Sequence, residues 1–328
     1  MPIHDLGYRP WNGEKCGRWL RPRFIAASGI ALVWRRKWLR LMLMLAWLPI
    51  FVPAIGIFAF EYSSTEPQML QFVGNLVGGP LQRPDLAMQL LADPDAARHE
   101  VWTLLIMAFF RYPQLSAMVL LVGLIAPMLI SYDLRSRAYL MYFSRPLNVM
   151  DYMLGKASVV WFFLSMIVTL PALILYLIGV MLSPDLSVVQ QTWDIPIRIL
   201  SASVVLLVPT TIVAMCYSAH TSESRYASFS WFATWILGFV AYQILTFMGT
   251  NFGPRRRRGF VDGSLLESID YDRWRLLSPY HALGKVQASI FGLDTTPGSV
   301  VPSVLLLIAV TIVGAWLVRR KILALLSI

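Results

Sequence analysis

Residues Ala157–Met181 read ASVVWFFLSMIVTLPALILYLIGVM, a run without one Asp, Glu, Lys, Arg or His. A bilayer core of about 30 Å is crossed by about 20 helical residues rising 1.5 Å each, so this run predicts a membrane span. Five more uncharged runs of similar length follow the same rule: Leu41–Phe60, Gln114–Ile130, Ile199–Ala219, Ala227–Met248 and Val300–Val318. Pro49, Pro53 and Pro171 fall inside these runs and predict kinks, because proline has no N–H to give the preceding turn. Val101–Phe110 (VWTLLIMAFF) is apolar but half the needed length, and predicts an interfacial or re-entrant lead-in.

The whole composition agrees with a bilayer. Of 328 residues 57% are hydrophobic and 14% charged, against about 25% charged in soluble domains. The net charge of +10 comes with no nucleic-acid-binding motif, so the cations bear on topology instead. Cys16 and Cys216 lie far apart and predict neither a disulfide nor a metal site. Residues 1–23 are polar and basic, which predicts no cleavable signal peptide.

Lys and Arg concentrate on one side of the predicted spans. With a cytoplasmic amino terminus the inner segments hold 17, the outer segments 4, and the long last loop a further 7. The positive-inside rule therefore places both termini in the cytoplasm. The last loop carries Arg255–Arg258 and is kept outside, since long loops are partly exempt from that rule. Ahead of the first span, RWLRPRFIAASGIALVWRRKWLR mixes tryptophans with cations and predicts a helix lying in the inner interface. The expected architecture is an all-α membrane protein of six transmembrane helices. Residues 1–40 form its cytoplasmic and interfacial segment, and residues 41–328 one membrane domain with an inner loop at 132–156 and outer loops at 61–113 and 249–299.

Chemistry is sparse within the spans. None of the six runs holds an Asp, Glu, Lys, Arg or His, which argues against a proton-coupled carrier or a membrane protease. His99-Glu100 begins the zinc pattern H-E-x-x-H, but Thr103 stands where the second imidazole belongs. No phosphate-cradling G-x-x-x-x-G-K-[ST] loop is present, so ATP hydrolysis would need another polypeptide. An intramembrane enzyme built on the outer loop's carboxylates and His281 is a weaker reading.

The informative segment is the inner loop YDLRSRAYLMYFSRPLNVMDYMLGK, Tyr132–Lys156. A mere connector needs far fewer residues. Pro146 permits a helix break, and Asn148 or Asp151 suits the start of a new helix leading to Gly155 and Lys156. Tyr139, Tyr142 and Phe143 are candidate interfacial anchors, while Arg135, Arg137 and Arg145 are available to a partner.

With the preceding IAPMLIS, this loop resembles the type 2 permease family of ATP-binding-cassette (ABC) transporters. Asp133 matches an acidic position after the second span, Ser144-Arg145-Pro146 a "leu-leu-ser-(Arg)-Pro" run, and Gly155-Lys156 the entry to the third span. Arg137-Ala138 stands where that family often has Gly-Thr, Asp133 where Glu is commoner, and Asp151 near a position often basic. The resemblance implies a multi-pass inner-membrane permease and an exporter. It would dimerise with an identical or related copy and be surrounded by membrane lipids, with no enzyme activity of its own. ATP and Mg would be held by a separate ABC ATPase, and no cofactor by this chain. It further implies that Asp133, Arg135, Arg137, Tyr139, Ser144, Arg145, Pro146, Asp151, Gly155 and Lys156 form the coupling contact. Arg35, Arg36, Lys37, Trp38, Glu223 and Arg225 are the expected secondary contact. The alternative from another class is a membrane scaffold or sensor that recruits a soluble partner without transporting anything.

Overall fold

The structure, a computed structural model, describes residues 17, 20–63, 67–79, 84–143, 147–183, 185, 187–252, 271–294 and 298–326. Cys16, Ser144, Arg145, Pro146 and Arg255–Arg258 lie outside the described residues. Within them every regular element is helical, and six helical stretches are long and apolar enough to cross a membrane. These are Lys37–Tyr62, Ala117–Ser136, Val149–Leu182, Val188–His220, Ser224–Thr246 and Val301–Leu325, each enclosing or overlapping one of the uncharged runs.

The amino-terminal segment forms α1 (Arg21–Trp34) and α2 (Lys37–Ala46), separated where Arg36 is extended. Gly155 receives Ile25 and Pro22 where a Cβ would meet them within about 3 Å, Gly29 meets Val159, and Trp34 stacks on Phe163. The first helix therefore runs alongside the third span and in the same direction. A 3₁₀ turn, Leu48–Ile50, carries α2 into α3 (Phe51–Ser63), since Pro49 cannot continue the α-helical bonding. Helices α4 (Pro67–Gly78), α5 (Pro84–Ala92) and α6 (Pro94–Leu115) follow.

Val101–Phe110 is not a short lead-in but the middle of α6, which at 22 residues is about 33 Å long. Asp93 caps this helix by accepting from the Asp95 and Ala96 N–H groups. Val101, Trp102, Ile106, Phe109 and Phe110 are all buried. Arg111 ends the apolar run without ending the helix, because its guanidinium is accommodated by the Tyr280 carbonyl, 2.8 Å away, and by the Tyr280 ring.

The second span joins α7 (Ala117–Leu129) and α8 (Ser131–Ser136), and α9 (Tyr139–Phe143) lies in the connection to the third span. The third span is α10 (Val149–Leu164) and α11 (Leu170–Leu182) with a π turn, Ser165–Thr169, between them. Pro171 explains the turn, because its ring displaces the carbonyl four residues back and widens the ladder there. Then come α12 (Val188–Thr192), α13 (Asp194–His220), α14 (Ser224–Phe252), a 3₁₀ turn at Tyr271–Leu277, α15 (Pro279–Phe291) and α16 (Val301–Leu326).

Spans two, three and four form the core. In span two 67% of the most apolar window is buried, against 17% in each of spans five and six, so the last two pack on the periphery. Span five is tied to span two by the Trp231 indole and the Ser228 hydroxyl, which donate to the Val119 and Gly123 carbonyls at 2.8 Å each. Alternation of the spans sorts the charges into two ends. Among the described residues one end holds 13 Lys/Arg and three acids, Asp133, Asp151 and Glu223, and the other 6 Lys/Arg and 9 acids.

Candidate functional site

At the basic end, span two breaks at Ile130 (φ −120°), which frees backbone donors in a buried place. Ser218 of α13 satisfies them: its hydroxyl accepts from the Ile130 N–H at 3.0 Å and the Ser131 N–H at 2.9 Å. The Ser131 hydroxyl donates to the Ser218 carbonyl at 2.8 Å. Ser218→Ala leaves buried donors unmade and is expected to cost about 1–3 kcal/mol, read as a lower unfolding midpoint in detergent. An unchanged midpoint would show that the break at Ile130 is satisfied some other way.

Helix α8 then stops within two turns. Arg137 is left-handed (φ 55°), Ala138 donates to the Asp133 carbonyl at 3.0 Å, and Arg137 to that of Leu134 at 3.4 Å. This is the double-bonded stop usually made with glycine at the left-handed position. The chain re-enters a helix at Asn148, where Asn148 and Asp151 exchange side-chain to backbone bonds in a capping box.

Between the stop and the restart, α9 is clamped from beneath. The rings of Tyr142 and Phe143 lie 5.5 and 5.6 Å from that of Tyr152. The Tyr152 hydroxyl donates to Asp133 Oδ2 at 2.7 Å, and Lys156 Nζ, one turn further along α10, reaches the same oxygen at 2.6 Å. Only 7% of the Asp133 side chain and 8% of that of Lys156 is exposed. Lys156 also sits over the Tyr142 and Tyr152 rings, 5.6 Å from each. Burial, and then the Asp133 charge, hold the Tyr142 phenol above its ordinary range, so it stays protonated. A buried cation shared by a carboxylate and two aromatic faces is electrically balanced and locks spans two and three together beneath α9.

Burial sorts the residues proposed for coupling. Asp133, Gly155 and Lys156 are interior, so they hold the segment from below and do not offer their side chains to a partner. Tyr142 and Phe143, expected as interfacial anchors, turn instead onto Tyr152, because its ring offers them apolar surface. Arg135 and Arg137 are exposed, as are Glu223 and Arg225 where span four turns into span five, while Tyr139 and Asp151 are half-buried. Arg135 and Glu223 approach to 3.9 Å, which brings the connection after span two and the one after span four to one place. Arg35, Arg36, Lys37 and Trp38 are exposed too. Their corner follows Trp34, which rests on Phe163, about two turns along α10 from Lys156, so it stands apart from α9. On α9 and at the start of α10, Leu140, Met141 and Met150 expose apolar side chains.

Sequence reasoning missed Tyr152 and Ser218. The first had a signal, since Tyr152 and Lys156 are four apart and share a helix face. The second had none, being 87 residues from its partner.

The acidic end is stapled by different pairs. His99 lies 2.9 Å from Asp194, which also takes Arg198 Nε at 2.7 Å, and the Arg198 guanidinium donates to the Phe291 carbonyl. The partner of the incomplete zinc pattern's histidine is thus a carboxylate of α13. Glu61 accepts from Arg98 at 3.2 Å and from the Trp102 indole at 3.0 Å, and Lys285 meets Asp294 at 3.0 Å. His281 stacks on Tyr242 with ring centres 3.7 Å apart, and its Nδ1 lies 2.8 Å from Ser278 Oγ. Burial first, then Arg111 and Arg275, push the His281 pKa down to about 4, so the ring is neutral at pH 7.

No protein-family model matches this chain, and no curated protein matches it.

Proposed function

We propose that the chain is the membrane-spanning permease subunit of an ATP-driven ABC exporter of the type 2 kind. It dimerises with a second permease copy and is worked by separate ATPase subunits that hold ATP and Mg. The observation that carries this reading is the node of Asp133, Tyr152 and Lys156, which roots a short helix in two spans at once. A displacement of α9 by a closing ATPase reaches both spans without being absorbed in a slack loop. ATP then shifts the assembly by the difference in its affinity for the two arrangements.

Two more observations support it. Arg137 is left-handed at the position where the family often has Gly-Thr, and glycine is the residue that backbone accommodates most easily. The excess of cations at the end bearing residues 132–156 favours placing that end, and both termini, in the cytoplasm of an inner-membrane protein. On this reading Arg135, Arg137 and Arg145, with Glu223 and Arg225, meet the ATPase. Asp133, Gly155 and Lys156 are positioning residues.

Arg145→Glu is expected to leave folding and insertion intact while uncoupling ATP hydrolysis from transport in the reconstituted complex. Unchanged coupling would remove Arg145 from the contact. Purification in mild detergent, with mass identification of retained proteins, tests the whole reading and should recover an ABC ATPase. Recovery of a different soluble partner would favour a scaffold or sensor. Labelling that finds residues 132–156 outside the cell would sink both.

A further inference from the structure

Spans five and six both pack on span four but scarcely touch each other. Beside that gap runs a groove between α13 and α16, which α14 borders only in its upper part, where Leu276 and the start of α15 close it over. An upper chamber of about 230 Å³ and a lower one of about 350 Å³ share Val213, Tyr217 and Val310, so the groove is continuous. Along α16 it runs from Leu306 to Leu317, about 16 Å, which matches the roughly 15 Å depth of one leaflet of a 30 Å core. The lining is chiefly aliphatic and aromatic, and the hydroxyls of Tyr217 and Thr234 are turned onto each other at 2.5 Å.

The lower mouth is basic. One turn past Leu317 the same face of α16 brings Arg320, whose guanidinium covers the Trp316 ring at 5.3 Å, and Lys321. His220, one turn past Cys216, adds a third nitrogen group from α13, and both His220 and Arg320 are exposed. We propose that this groove seats one acyl chain of an anionic phospholipid from the leaflet at the basic end, its phosphate held by Arg320 and Lys321. The occupant follows from the position of the groove within three spans, its one-leaflet length and the charge at its mouth. A soluble ligand would have to cross the hydrocarbon to reach it, and a zwitterionic headgroup would bring its own cation to the basic pair.

The test uses the full chain, delipidated in mild detergent and titrated with phosphatidylglycerol or phosphatidylcholine of identical chains, with native mass spectrometry counting bound lipid. One tightly held phosphatidylglycerol per chain is expected. Arg320→Ser with Lys321→Ser should weaken it about thirtyfold, because each basic residue near a headgroup contributes about fivefold. Val313→Trp, at an exposed position lining the groove, should abolish it without lowering the melting temperature. Phosphatidylglycerol with a photoreactive acyl chain should label Leu306–Leu317, and millimolar glycerol phosphate should not displace it. Equal retention of the two lipids, wild-type binding by both variants, labels elsewhere, or crosslinks joining two copies through the groove would each overturn the proposal.

Discussion

Lys156→Met is expected to cost about 3–5 kcal/mol of stability, because it leaves the Asp133 carboxylate buried without its cation. Asp133 Oδ2 takes Lys156 at 2.6 Å and Tyr152 at 2.7 Å, and its side chain is only 7% exposed, so water cannot replace the ammonium without opening the interface of spans two and three. The cause is electrostatic and not steric, since methionine nearly matches the lysine stem in volume. Combining Lys156→Met with Asp133→Asn should therefore recover most of the loss, because the asparagine carbonyl still accepts from Tyr152 and no charge is left unpaired. Thermal unfolding midpoints in one detergent measure all three chains. If the single substitution costs no more than a surface pair, under about 1 kcal/mol, the pair is hydrated and the node does not lock the spans.

Tyr152→Ala should release α9. The buried ring is the common floor for Tyr142 and Phe143, and removing an aromatic side chain from such a place costs about 3–5 kcal/mol. Tyr152→Phe keeps the floor and loses only the hydroxyl's bond to Asp133, about 1–3 kcal/mol. Hydrogen exchange across Tyr139–Phe143 should accelerate strongly in the alanine variant and little in the phenylalanine one. Under the proposed permease function, a complex reconstituted with an ABC ATPase is expected to hydrolyse ATP without moving cargo when it carries the alanine variant, and to stay coupled with the phenylalanine variant. Equal protection of α9 in both would mean that the helix is held by something other than Tyr152.

These two outcomes bear on residues whose roles changed between sequence and structure. The family resemblance implies that Asp133 and Lys156 belong to a contact with a partner, whereas both side chains are buried. Their 23-residue separation hides a 2.6 Å ion pair, because α8 and the start of α10 return to the same level of the bundle. A helix start at Asn148 or Asp151 is legible in the sequence because it depends on bonds between residues three apart. The left-handed Arg137 was not, since arginine carries no preference for that conformation and only the bonds back to Asp133 and Leu134 demand it.

Six runs long enough to span and the uneven charge of the two ends are legible in the order of residues alone. Crossing a hydrocarbon layer depends on the transfer energy of about 20 consecutive residues, a property each run carries wherever its neighbours lie. Only the tertiary structure decided which polar groups turn inward: Ser218 beneath the break at Ile130, Arg111 against Tyr280, and Tyr152 under α9. The physical reason is that a buried donor or charge is satisfied by partners distant in the chain, and their meeting is a property of the packed helices and not of any one segment.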